Sequence, residues 1–191
     1  MALPAEKARY TFADCLAWDE NERIEIIDGE AILMAAPSST HQEISMEISR
    51  QLANYLEGKR CKVYAAPFDV RLFEKDGETP EDVDTVVEPD ISVVCDKRKI
   101  DIRGCKGAPD LIVEILSPSS LRHDRLVKFR LYQQAGVREY WIVDPENKTV
   151  QVFLSDDIGT LCPHEDYGRK DIAKVNVLEG CFIELKKVFS E

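Results

Sequence analysis

The sequence predicts an α/β fold, a mixed β-sheet flanked by helices, in one domain spanning residues 1–191. Three observations predict it. Two apolar, β-branched runs read as strands buried on both faces: Val87-Glu88-Pro89-Asp90-Ile91-Ser92-Val93-Val94 and Ala108-Pro109-Asp110-Leu111-Ile112-Val113-Glu114-Ile115-Leu116-Ser117. One amphipathic helical pattern precedes them, and a second follows. The chain of 191 residues, 44% hydrophobic and 32% charged, is long enough to bury a sizeable core. None of its apolar runs approaches the ~20 residues that span a bilayer.

The elements follow in order. Thr11 to Trp18 predicts a short helix, and Arg23-Ile24-Glu25-Ile26-Ile27 alternates as a strand. Asp28-Gly29 is a hairpin turn signal, with Glu30-Ala31-Ile32-Leu33-Met34 as the return strand. Pro37-Ser38-Ser39-Thr40 offers N-caps to a helix over His41 to Leu56, in which Ile44, Ile48 and Leu52 recur at helical spacing before Gly58. Lys62 to Phe73 is strand-like, and the acidic stretch Glu74 to Asp84 is a loop. The two carboxylate strands come next, joined by a polar connection from Asp96 to Gly107. Ser117-Pro118-Ser119-Ser120 opens a second helix over Leu121 to Ala135, ended by Gly136. Glu139 to Val143 is another buried strand, stopped by Asp144-Pro145. Val150 to Leu154 pairs with it across the Glu146-Asn147-Lys148 turn. Short strands and a final segment, Phe182 to Phe189, follow Cys162.

Residues 1–20 hold no basic region followed by an apolar stretch, so no secretory signal is predicted and a cytoplasmic setting is expected. The six cysteines are scattered, with no Cys-x-x-Cys pair. This argues against zinc and predicts reduced, buried structural thiols. The net charge of −11 argues against a broadly basic nucleic-acid surface. The densest basic segment, Arg122, Arg125, Lys128 and Arg130, directly follows the Glu114 strand and reads either as a solvated helix face or as a local basic patch.

A carboxylate inside a doubly buried strand needs a partner, and a divalent metal is a common one. Asp110 and Glu114 are four residues apart on one strand, about 13 Å. One Mg²⁺, with ligands at ~2.1 Å, cannot bridge that gap. If the two strands run antiparallel, Asp90 at the start of one lies beside Glu114 near the end of the other. Asp110 is then a turn or strand-entry residue. Asp124, Lys128 and Tyr132 are spaced four apart, which places them on one helical stripe. Lys128 can reach back toward the sheet to orient or activate a water; the competing reading is a surface Asp–Lys pair. His41 begins the first helix and is a candidate site residue, or else a partly exposed structural histidine. Glu43, Glu47 and Asp69 rank lower. Oxygen ligands favour Mg²⁺ or Mn²⁺ over zinc.

At these residues the chain resembles the bacterial putative restriction endonuclease family of the PD-(D/E)XK nuclease superfamily. The matching segments are Glu25-Ile26-Ile27-Asp28-Gly29-Glu30, His41, Glu88-Pro89-Asp90-Ile91, Pro109 to Ser119, Asp124, Lys128, Tyr132 and Gly136 to Pro145, within about residues 22–154. The resemblance implies a restriction-endonuclease-like core and a magnesium-type site. It makes Asp90 and Glu114 the metal ligands and nucleic acid, DNA first, the substrate. The superfamily pattern has lysine two residues after the acid, where this chain has Leu116; the resemblance implies that Lys128 stands in for it.

Two functions follow as expectations. One is metal-dependent phosphodiester hydrolysis, with Asp90, Glu114 and Lys128 catalytic and His41, Asp124 and Tyr132 supporting. The other is a non-catalytic module of the same fold that binds nucleic acid or protein, favoured by Leu116 and the acidic charge. No membrane partner is expected. A homodimer is one arrangement that lets a nuclease cut both strands.

Overall fold

The computed structural model describes residues 9–18, 23–117 and 123–190, and of residues 123–125 the backbone. Helix α1 (Phe12–Cys15) is a single turn anchored by buried Phe12, with Thr11 and Asp14 capping its start. Strands β1 (Ile24–Ile27) and β2 (Glu30–Leu33) form a hairpin. Its turn residues Asp28 and Gly29 both take positive φ, 51° and 82°, the conformation for which Asp-Gly is suited. Helix α2 (Ser39–Leu56) starts two residues earlier than the hydrophobic spacing indicates, because Ser38 accepts the His41 N–H. It buries Ile44, Ile48, Leu52 and Leu56 along one stripe.

The strand-like stretch from Lys62 divides into β3 (Lys62–Ala65) and β4 (Val70–Arg71). Strand β5 (Ile91–Val94) follows the acidic loop. The polar connection after it is more ordered than its composition suggests. It carries β6 (Ile100–Asp101) and β7 (Gly104–Lys106), which join β4 in a small sheet of order β4-β7-β6. Gly104 is required there: a Cβ would lie 2.2 Å from the Asp69 carbonyl oxygen. Strand β8 (Leu111–Ile115) is buried throughout.

The second helix differs from its predicted form. Leu121 and Arg122, like residues 118–120, lie outside the described residues; His123–Lys128 is a π-helical turn, and only Phe129–Ala135 is regular helix, α3. Gly136, at φ 84°, ends it. Strands β9 (Glu139–Asp144), β10 (Thr149–Ser155), β11 (Leu161–Gly168), β12 (Ile172–Val175) and β13 (Cys181–Glu184) precede the last helix, α4 (Leu185–Val188).

The central sheet has the order β11-β10-β9-β8-β5-β3. Only β8 and β9 run parallel, so the sheet is mixed as predicted. Alternation divides its side chains between two cores. Ile91, Val93, Val113, Ile115 and Trp141 pack with α2 and the β12–β13–α4 segment. Ile112, Leu116, Tyr140 and Ile142 pack with α3, β4 and β7. Isolated bridges, Ile26 to Val86 and Val70 to Val87, fasten the hairpin and the small sheet to the chain just ahead of β5.

The cysteines correct one expectation. Cys61 and Cys95 form a disulfide, where the sequence predicts reduced thiols. The β3–β5 register pairs Lys62 with Val94, so the next step outward sets the two cysteines opposite each other. Cys105 and Cys181 are buried thiols as expected, whereas Cys162 is exposed. Among the described residues, no helix is long and apolar enough to cross a membrane.

Candidate active site

The site grows out of the β5–β8 register. Ile91 pairs with Val113 in antiparallel sense, so the next step brings Asp90 beside Glu114. Asp90 Oδ2 accepts the Ile115 backbone N–H at 2.8 Å and lies 3.1 Å from His41 Nε2. Asp90 Oδ1 accepts no hydrogen bond from a described residue. His41 occupies the first turn of α2, and its Nδ1 has no hydrogen-bond partner among the described residues.

Glu114 lies on the face of β8 that carries Ile112 and Leu116, turned toward α3. Its Oε1 accepts from Lys128 Nζ at 3.0 Å and from the Tyr132 hydroxyl at 2.5 Å. Lys128 is the last residue of the π-helical turn, and its Nζ also lies 2.8 Å from Glu25 Oε1. Glu25 Oε1 in turn accepts the Glu88 backbone N–H at 2.9 Å. These groups are deeply buried: Glu25 and Lys128 are 2% exposed, Glu114 3% and Asp90 8%. Burial, then the charges of Glu114 and Glu25, push the Tyr132 hydroxyl well above 10, so it stays protonated and donates.

Glu25, Asp90, Glu114 and Lys128 line one cavity of about 510 Å³. Ile32, Leu33, Met34 and Ala35, from β2 and the residues after it, form an apolar wall. Arg23 reaches the same cavity and pairs with Glu88 at 3.0 Å.

The structure thus brings Asp90, Glu114, Lys128, His41 and Tyr132 together. The side chain of Asp124 lies outside the described residues. Lys128 is not a surface residue, because the wider π-helical turn and two carboxylates draw it inward. Asp110 stands at the other end of β8, where it accepts from Cys95 N and Arg138 Nη1. Asp69 is not among the cavity-lining residues. Burial, reinforced by the Glu88 charge and opposed by Arg71, pushes its carboxyl up to about 6. Glu47 is tied to Arg50 on the outer side of α2. Leu116 is buried in the core beside α3, where a lysine at that position would need a partner.

Sequence reading missed Glu25 as a site residue. The signal was available: Glu25 is a carboxylate within an apolar, β-branched run, as Glu114 is.

Residues 12–186 match the model of the Uma2 family, described as "Putative restriction endonuclease". The chain belongs to this family. The match extends beyond the segment that carries the sequence motifs at both ends, and so takes in α1 and the β12–β13 pair. Among its relatives, the uncharacterized protein slr1290 of Synechocystis is 30% identical over 147 residues, covering 75% of this chain and 73% of that protein. A second Synechocystis protein, uncharacterized sll1609, is 27% identical over 149 residues, covering 75% of this chain and 80% of that one. The solved structure of a putative nuclease belonging to DUF820, from Anabaena variabilis, superposes with a TM-score of 0.71 at 20% identity. The alignment covers 94% of this chain and 97% of that one, so the Uma2 chain shares its fold over almost its whole length.

Proposed function

We propose that this Uma2 protein hydrolyses phosphodiester bonds of nucleic acid, DNA first, with a divalent ion, Mg²⁺ or Mn²⁺, at Asp90 and Glu114. The observation that carries this reading is the convergence of Asp90, just ahead of β5, Glu114 on β8 and a buried lysine in one cavity.

The donor set suits such an ion. Glu25 and Glu114 share the Lys128 ammonium, and Asp90, Asp144 and Glu146 line the same cavity, so carboxylates outnumber the cations Arg23 and Lys128 there. Among the described residues no group of three or more His, Cys, Asp or Glu is placed to hold a metal ion. Mg²⁺ needs only one or two carboxylates, here Asp90 and Glu114, and keeps its other positions for water and phosphate. When bound, such an ion lowers the pKa of a coordinated water and stabilises charge on the phosphate.

The protein groups have distinct roles in this reading. Ile115 N–H and His41 hold Asp90 Oδ2, leaving Oδ1 to ligate the ion. Tyr132 and Lys128 both hold Glu114 Oε1. An ammonium donates and does not accept. Lys128 therefore serves by hydrogen bonding to a phosphate oxygen or to the attacking water, which stabilises the developing charge.

The test is incubation with single- and double-stranded DNA and RNA, with Mg²⁺ or Mn²⁺ and with chelator. Metal-dependent cleavage that disappears in Glu114→Gln is expected. No cleavage of any form by the wild type would leave the non-catalytic module as the better account.

A further inference from the structure

Glu25 comes from a different sheet than Asp90 and Glu114, yet it touches both halves of the site. A single oxygen, Oε1, accepts the Glu88 backbone N–H at 2.9 Å and lies 2.8 Å from Lys128 Nζ. Glu88 is two residues before Asp90. That oxygen therefore joins the segment that delivers one carboxylate to the lysine that bonds the other. A second contact runs the opposite way: Arg23, just ahead of β1, pairs with the Glu88 side chain. Glu25 is 2% exposed, so its charge is unscreened by water and acts on what it touches.

We propose that Glu25 is a positioning residue: its carboxylate anchors the Lys128 ammonium and sets it in register with Asp90. The proposal deepens the nuclease reading and rests on it for the catalytic consequence. Without Glu25, Lys128 has Glu114 as its remaining carboxylate among these contacts. The ammonium then loses the carboxylate that ties it to the Glu88–Asp90 segment, and its alignment with that segment is lost. A charge-free residue at position 25 that still accepts the Glu88 N–H would keep the strand in place but reduce its hold on the lysine from an ion pair to a neutral hydrogen bond.

Glu25→Gln is that change, since the amide oxygen preserves the acceptor. Two readouts test it. The first is independent of activity: acetylation of lysines by a small anhydride, followed residue by residue by mass spectrometry. Lys128 should label about 10-fold faster or more in Glu25→Gln. Lys99, whose Nζ bonds the Ala108 carbonyl near the small sheet, should keep its rate. An unchanged Lys128 rate, or a parallel rise at Lys99, overturns the proposal. If Glu25→Gln does not fold, Glu25→Asp decides in the same way, because it keeps the charge and withdraws it by one methylene.

The second readout is cleavage at saturating Mg²⁺. Glu25→Gln should lower kcat by about 10–100-fold with little change in KM. In a Lys128→Met background the same substitution should have no further effect, since the group it positions is gone. Independent, additive losses would mean a merely structural role and overturn the proposal. If the wild type cleaves nothing, the nuclease reading fails, while the labelling result still decides whether Glu25 anchors Lys128.

Discussion

Asp90 accepts the backbone N–H of Ile115 across the β5–β8 pair at 2.8 Å. The side chain of one candidate ligand is thereby held by the strand that carries the other, Glu114. The separation of the two carboxylates is set by sheet geometry, not by a loop.

Asp90→Asn should retain the fold, since its amide oxygen still accepts from Ile115. Asp90→Ala should cost about 1–3 kcal/mol, because a buried N–H and the His41 ring lose their acceptor. Urea unfolding of the two variants checks this. Equal stability in both would mean that Ile115 N–H finds another partner.

Lys128→Met should destabilise the protein by about 3–5 kcal/mol, because two buried carboxylates lose their cation. A lysine on an exposed helix face would cost about half a kcal/mol or less. A small loss in denaturant melts would contradict the burial of this triad.

Asp69 gives a pH-dependent prediction. Its folded carboxyl titrates at about 6 against an ordinary value of 3.8, chiefly through burial, with Glu88 adding to the rise. The folded state binds this proton more tightly than the unfolded chain, so the contribution is fully present below 3.8 and is lost as pH rises through 6. Above 6 the folded protein bears a poorly solvated charge. Asp69→Asn should therefore be more stable than wild type at pH 8, with the gain shrinking toward pH 4. A gain independent of pH would mean that Asp69 is not the titrating group.

Glu114→Gln should fold, because Lys128 keeps Glu25 and the amide oxygen still accepts from Tyr132. It should lose the Mg²⁺-dependent rise in melting temperature expected of the wild type. A wild-type Mg²⁺ response in this variant would remove Glu114 from the ligand set.

Much of this arrangement was legible in the sequence. The proximity of Asp90 and Glu114 followed from two buried strands, an antiparallel guess and the 13 Å that separates Asp110 from Glu114. The mixed sheet and both hairpins followed from alternation and turn residues. What was not legible depended on contacts between distant segments. Nothing at Glu25 names Lys128 as its partner, 103 positions away along the chain. Cys61 and Cys95 are 34 residues apart and meet through the β3–β5 register alone. The π-helical turn at His123–Lys128 defeats a reading at 3.6 residues per turn, which is why Lys128 appeared able to sit on the surface. Strands β6 and β7 are too short to show a period.

The central claim is that Asp90 and Glu114 together hold one divalent ion. A crystal soaked in Mn²⁺ tests it most directly, because manganese scatters anomalously. The account predicts one anomalous peak about 2.1–2.3 Å from a carboxylate oxygen of each residue, with Lys128 still bonded to Glu25. Full-occupancy manganese elsewhere, with none between Asp90 and Glu114, would contradict it.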